Sequence, residues 1–112
     1  MIEVIFLNYL KNHMDVPVLA EHTDTADEKK IVIEKTGSTL GNLVHSATFS
    51  VQSYGGSMYE SAELNKEVID VCMGATECKQ IFNVELISDY NFPDLTKKKY
   101  RYQAVIRLTY IL

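Results

Sequence analysis

The sequence contains no tryptophan, only two prolines and two cysteines, and no long apolar run. No stretch approaches the roughly 20 apolar residues that a membrane-spanning helix needs. The N-terminal apolar segment is short and carries Glu3 where a signal peptide has basic residues, and no small-residue cleavage site follows it. We therefore expect a soluble, intracellular protein with no membrane partner.

The two cysteines do not form a recognisable chemical pair. Cys72 and Cys78 are six positions apart, a spacing that fits neither a CxxC redox pair nor a set of zinc ligands. Cys72 also falls on the apolar stripe of a predicted helix, so we expect a buried free thiol there.

Positive charge is scarce as well. The chain has 11 basic and 15 acidic residues and a net charge of −4. This balance argues against specific nucleic-acid binding, which usually requires a basic face. The length of 112 residues predicts one domain, residues 1–112, built around one core.

Patterns that carry catalysis or hold cofactors are missing. His13, His22 and His45 are scattered, and no HxH, HExxH or CxxC spacing occurs. The acidic residues 24–28 lack the calcium-loop pattern, and the glycine-containing segment 37–41 lacks the lysine of a phosphate loop. No serine or cysteine lies in a nucleophile elbow. We therefore expect no enzyme, no cofactor and no metal site.

Apolar periodicity predicts elements in the order α-β-β-β-α-β-β. Apolar residues recur at helical spacing from Ile2 to His13, and Pro17 prevents the helix from continuing. A second helix begins at Ser57, because Ser57 and Glu60 have the form of a capping box. Alternating or apolar segments predict strands at Val16–Glu21, Ile31–Thr36, Asn42–Tyr54, Ile81–Tyr90 and Tyr100–Leu112.

These elements predict an α+β fold with a mainly antiparallel sheet. Residues 22–30 and 91–99 are polar loops and residues 37–41 a turn, and strands joined by short loops usually pair antiparallel. Both helices should pack on one apolar face, leaving a semi-polar face for solvent or a neighbour. Residues expected on one face of the fourth strand are Phe82, Val84, Leu86 and Tyr90.

The third and last predicted strands are long for a small domain. Each has about 13 residues and would extend about 43 Å, whereas a compact domain of this length is roughly 34 Å across. Either the strands end earlier or bend at bulges, or a hairpin or edge projects towards another subunit. The apolar C-terminal residues 110–112 favour the second possibility.

Charged residues of opposite sign gather in two predicted loops, one acidic and one basic. Solvated loops are the simplest interpretation, but opposite charges on separate loops also suit a head-to-tail ring. An anion could bind where Gly55 and Gly56 precede the second helix, although a turn and an N-cap explain these residues without a ligand. The candidate subunit or partner contacts are Asp24, Asp27, Glu28, Asp94, Lys97, Lys98, Lys99, Arg101 and Tyr110.

Several segments together resemble a known family. They are Val16-Pro17-Val18, the segment IVIEKTG at 31–37, Ser61-Ala62-Glu63-Leu64 with Val68, Ser88-Asp89-Tyr90 before a Pro-Asp loop, and Tyr100-Arg101-Tyr102-Gln103. The pattern resembles the small tail-component proteins of long-tailed bacteriophages, especially tail terminators, over nearly the whole chain.

The resemblance implies a ring, a hexamer, that caps the tail tube and offers a docking surface to the head. Its partners would be further copies of itself, the tail tube protein and the head–tail connector. It would need no cofactor and perform no catalysis, and it would be assembled in the host cytoplasm into the virion tail. The alternatives are a head-closure or neck protein of the connector, and a small non-catalytic ligand-binding or regulatory module.

Overall fold

The protein is described by a computed structural model over residues 1–21 and 29–111. Its elements in chain order are α1 (Ile2–His13), β1 (Val18–Leu19), β2 (Lys30–Leu40), β3 (His45–Gly55), α2 (Met58–Met73), a short 3-10 helix (Ala75–Glu77), β4 (Ile81–Asn91) and β5 (Tyr100–Tyr110). This order confirms the predicted α+β class and the predicted sequence of elements.

The strands form a single five-stranded sheet in the order β1-β2-β3-β5-β4. All neighbouring strands pair antiparallel except β1 and β2. The two helices cover one face of this sheet, as expected, and their apolar residues join the strands in one core. No other helix of the described residues covers the opposite face.

Alternation in β3 builds the centre of the core. Ala47, Phe49 and Val51 point towards the helices and are at most 1% exposed. The Phe49 ring lies 4.8 Å from the ring of Phe6 on α1, measured between centroids, and Phe49 pairs with Ile106 on β5. Burying one such side chain stabilises the fold by about 1.5–3 kcal/mol.

The start of α2 is fixed by local hydrogen bonds. The amide of Glu60 donates to the Ser57 hydroxyl at 3.1 Å, which confirms the predicted N-cap. The Glu60 carboxylate accepts from the amide of Gly56 at 2.9 Å, one residue earlier than in a standard capping box. A Cβ at Gly55 would lie 2.7 Å from the Ser61 amide nitrogen, so the close approach of β3 to α2 requires glycine.

The first strand differs from the prediction in length and direction. β1 has only two residues, and it pairs parallel to β2 through Val18 with Ile31 and Leu19 with Val32. The expectation of antiparallel pairing between consecutive strands was therefore wrong for β1 and β2. β1 lies at the edge of the sheet, where Pro17 contributes only its carbonyl, which accepts from the Ile31 amide at 2.8 Å.

The predicted turn at 37–41 was also wrong. β2 continues through Gly37 to Leu40, with a register irregularity between Lys35 and Gly37. The turn instead covers residues 41–44, where the Gly41 amide donates to the Val44 carbonyl at 3.1 Å. A glycine within a strand often marks a bulge, and Gly37 directly follows the register irregularity here.

In β4 the predicted face was wrong for Phe82 and also for Tyr90, which pairs with Gln103 on the face away from the helices. Register irregularities between Ile81 and Asn83 and between Leu86 and Ser88 break the two-residue alternation. As a result Ile81 and Val84 are buried in the core, while Phe82 is 50% exposed. A bulge adds one residue to one strand and thereby reverses the faces that follow it.

The long strands are explained by the first of the possibilities considered, and a projection towards another subunit stays a prediction. β3 and β5 have 11 residues each, because β3 begins at His45 and β5 ends at Tyr110. The partner strands β2 and β4 carry the irregularities. The molecule is nevertheless elongated, with principal dimensions of 43 × 24 × 22 Å.

Candidate functional site

The predicted basic contacts lie in the hairpin between β4 and β5, residues 92–99. Asp94 pairs with Lys99 through two backbone hydrogen bonds of 2.9 and 3.0 Å. The Asp94 carboxylate also accepts from the Lys97 amide at 3.1 Å. This hydrogen bond, with the nearby Arg101 guanidinium, lowers the pKa of Asp94 below its usual value. Asp94 therefore shapes the hairpin from within.

Arg101 stabilises the structure at the same end of the sheet. Its Nε donates to the Phe92 carbonyl at 2.7 Å, and its guanidinium lies 4.4 Å from the centroid of the Phe92 ring. One terminal nitrogen donates to the Tyr54 hydroxyl at 3.2 Å and lies 3.9 Å from the Asp94 carboxylate. With its side chain only 12% exposed, Arg101 offers little surface to a partner.

Other predicted contact residues have different locations. Tyr110 is 3% exposed and packs beside His45, so its side chain offers almost no surface to a neighbour. Its predicted contact with a partner stays a prediction. The apolar partners of β5 draw Tyr110 into the core. Asp24, Asp27 and Glu28 lie outside the described residues, and their proposed meeting with the basic hairpin stays a prediction.

A cavity of about 210 Å³ opens between the basic hairpin and the turn that follows β3. We call it the basic cavity. Its lining residues are Lys30, Tyr54, Gly55, Gly56, Lys98, Lys99 and Tyr100. Cross-strand register brings Lys30, Tyr54 and Arg101 into one row on the face away from the helices. Residues far apart in the sequence therefore meet at one end of the sheet.

The opposite end of the sheet is apolar and exposed. Leu40, Leu43 and Val44 surround the turn between β2 and β3 and are 73%, 81% and 48% exposed. Register places this end beside Tyr110 and Ile81, whereas the basic cavity lies at the other end of the same strands. The two ends are about 30 Å apart along β3 and differ in chemistry.

The two edges of the sheet are also unlike each other. β4 pairs only with β5 among the described strands, so its outer edge is open along the strand. On the other side β1 pairs only with Ile31 and Val32, and no other described strand pairs with the outer edge of β2. The side chains of β4 that are at least 40% exposed include Phe82, Leu86, Ile87 and Tyr90.

A hydrogen-bonded row crosses the sheet face that the helices leave open. The Gln52 amide donates to the Gln103 carbonyl oxygen at 2.8 Å, and the Gln103 amide donates to the Tyr90 hydroxyl at 2.6 Å. This row links β3, β5 and β4. These hydrogen bonds hold the three side chains in place on the sheet face that the strand alternation predicted to be semi-polar.

Groups with catalytic potential are dispersed in the described part of the chain. Burial raises the pKa of Cys72 to about 12, so its thiol is held in the unreactive form. His13 contacts Glu77 at 3.0 Å, while buried Nδ1 of His45 has no hydrogen-bond partner within residues 1–21 and 29–111.

Among the described residues, no three histidine, cysteine or acidic side chains cluster in a way that could hold a metal ion. No described helix is both long and apolar enough to cross a membrane.

No protein-family model matches this sequence, and no match was found among curated proteins.

Sequence reasoning found the basic hairpin but missed the rest of the basic cavity. Lys30 had been placed at the end of a polar loop, and the register that sets it beside Tyr54 cannot be read from local pattern. A usable signal was the pair Gly55 and Gly56 before a helix, which indicates a close backbone approach.

Proposed function

We propose that the protein is a subunit of a head-to-tail ring, and that this ring is a tail terminator of a long-tailed bacteriophage. The observation that carries the proposal is the presence of two unlike open edges on one sheet, β4 on one side and the outer part of β2 on the other. Closed rings with heterologous contacts need two different surfaces on each subunit.

The chemistry of the edges supports such a contact. Exposed apolar side chains accompany both, with Leu40 on β2 and Ile87 on β4 as examples at 73% and 45% exposure. Open edges with apolar side chains favour pairing with another chain. The unlike ends of the sheet suit the two further partners of a terminator, the tail tube protein and the head–tail connector.

Complementation between two edge variants tests the ring. Leu40→Lys and Ile87→Lys each place a charge on one edge, so each variant alone should fail to form rings. When the two variants are mixed, the unchanged β4 edge of Leu40→Lys can still contact the unchanged β2 edge of Ile87→Lys. The mixture should therefore form a one-to-one dimer that cannot grow into a ring. Size-exclusion chromatography with light scattering measures the mass of each variant alone and of the mixture. Met73→Lys on α2 is the matched control and should assemble like the original protein.

Two outcomes would contradict the proposal. One is a protein that stays monomeric across a concentration series, with or without a candidate tail tube protein. The other is an oligomer that survives both substitutions, since its contacts would then lie elsewhere. A tail-tube gene beside the coding sequence would separately support the terminator assignment over a neck protein.

A further inference from the structure

The basic cavity concentrates positive charge in a protein whose net charge is negative. Lys30, Lys98 and Lys99 all line it, while the whole chain carries a net charge of −4. Its volume of about 210 Å³ exceeds the space that one water molecule occupies in the liquid, about 30 Å³. The cavity can therefore hold a small ion together with some of its hydration.

One of these lysines is buried. Lys30 is only 4% exposed, and its ammonium lies 5.1 Å from the centroid of the Tyr54 ring. The Arg101 guanidinium lies 5.8 Å from the same ring. Bringing a lysine out of water is costly unless its surroundings compensate. The fold thus holds a row of cation, aromatic ring and cation, in which Lys30 and Tyr54 line the cavity.

The described carboxylates near the basic cavity already accept hydrogen bonds from other residues of the protein. Asp94 is engaged by the Lys97 amide and by Arg101, and the Glu60 carboxylate accepts from the Gly56 amide. Within residues 1–21 and 29–111, no carboxylate forms an ion pair with Lys98 or Lys99. Because Gly56 already donates to Glu60, the start of α2 is not the source of attraction for an anion.

Lys98 adds an independent observation. Its φ angle is 54°, in the left-handed region that favours glycine. A side chain in this conformation costs about 1 kcal/mol. Residues retained in unfavourable backbone conformations are concentrated at functional sites, and this one lines the basic cavity.

We propose that the basic cavity binds an oxyanion of the phosphate class, either free phosphate or the phosphoryl group of a small molecule such as a nucleotide. Lysine ammonium groups form charge-assisted hydrogen bonds with such oxygens. This site is separate from the ring contacts proposed above, which lie on the sheet edges.

Titration with inorganic phosphate, followed by amide NMR at constant ionic strength, tests the proposal. The amides of Gly55, Lys98 and Lys99 should shift with saturation, and chloride at the same ionic strength should not reproduce the shifts. Lys99→Gln should weaken binding about tenfold, as expected for one charge-assisted hydrogen bond. Lys66→Gln, an exposed lysine on α2, is the matched control and should bind normally.

Lys98→Gly separates binding from folding. Glycine relieves the left-handed backbone, so this variant should be at least as stable as the original protein in thermal unfolding. It should nevertheless bind phosphate about tenfold more weakly. A variant that is stable and binds phosphate unchanged would overturn the assignment of Lys98.

A comparison of three ligands identifies which kind of molecule supplies the anion. Inorganic phosphate, pyrophosphate and adenosine monophosphate are compared, and tighter binding of the nucleotide would indicate a phosphoryl group on a larger molecule. A synthetic peptide with the sequence of residues 21–30 tests an acidic protein segment instead. Binding of the peptide without any binding of phosphate would overturn the proposal. The titration is repeated on Leu40→Lys, so that failure of ring assembly and failure of phosphate binding are read separately.

Discussion

At the scale of single residues, the clearest tertiary ion pair joins α1 to β2. The Lys35 ammonium lies 3.0 Å from the Glu3 carboxylate, with the two side chains 31% and 37% exposed. The hydrogen bond from Lys35 is the main reason that the pKa of Glu3 is lowered from 4.5. Lys35 can reach α1 because it shares the helix-covered face with Ile33 and Phe49.

This pair predicts a pH-dependent contribution to stability. Because folding lowers the pKa of Glu3, the contribution is present above the unfolded value of 4.5 and is lost as the pH falls through the lower folded value. Lys35→Gln should therefore reduce the free energy of unfolding at pH 7, by about 0.5 kcal/mol for an exposed pair. The difference from the original protein should disappear in strong acid.

Urea unfolding at several pH values measures this difference. Lys79→Gln removes an exposed lysine elsewhere and should show no such loss at pH 7. A penalty for Lys35→Gln that persists unchanged in strong acid would show that Lys35 contributes through packing and not through its charge.

At the scale of elements, the N-terminus of α2 depends on one hydroxyl. The Ser57 side chain accepts from the Glu60 amide, which would otherwise lack an intrahelical partner. Ser57→Ala should lower the free energy of unfolding by about 1 kcal/mol. Ser57→Asp keeps an oxygen acceptor and adds a charge that suits the helix dipole, so it should restore most of the stability.

Thermal and urea unfolding of the two variants check this prediction. Equal destabilisation by alanine and aspartate would contradict it, because the effect would then not come from the missing acceptor. Ser38→Ala, at an exposed position of β2, provides the comparison for serine removal outside a cap.

The helices and strands also differ in how well the sequence predicts them. Both helices were predicted because their signals are local: apolar spacing from Ile2 to His13, and a cap at Ser57. Gly37 and Phe82 were misjudged because a glycine fits a bulge as well as a turn, and because bulges arise from pairing between distant strands. The direction of β1 likewise depends on its partner β2, which local pattern does not identify.

At the scale of the whole molecule, the candidate sites come from strand order. The sheet order sets β5 between β3 and β4, and this brings the basic hairpin beside the turn after β3. The sequence identified Lys97–Lys99 as a basic group, but only the register joins Lys30 to it. Among the described strands, the same order leaves two unlike edges without a pairing partner, which local periodicity cannot reveal.

One core connects all these features, and Phe49 lies at its centre. It is 1% exposed, contacts Phe6 on α1 and pairs with Ile106 in the middle of the sheet. Phe49→Ala should reduce the free energy of unfolding by about 3–5 kcal/mol, because it removes buried apolar surface and leaves a cavity. Phe82→Ala, at a side chain that is 50% exposed, is the matched control and should cost far less.

Because helices and sheet share this core, the loss should be cooperative. Urea unfolding followed by far-UV circular dichroism and by tyrosine fluorescence should give coincident transitions for the original protein and, at lower urea, for Phe49→Ala. Separate transitions would mean that the helices and the sheet unfold independently and that Phe49 does not couple them. Coincident transitions would instead support a single cooperative unit whose open edges and basic cavity are held by the same packing.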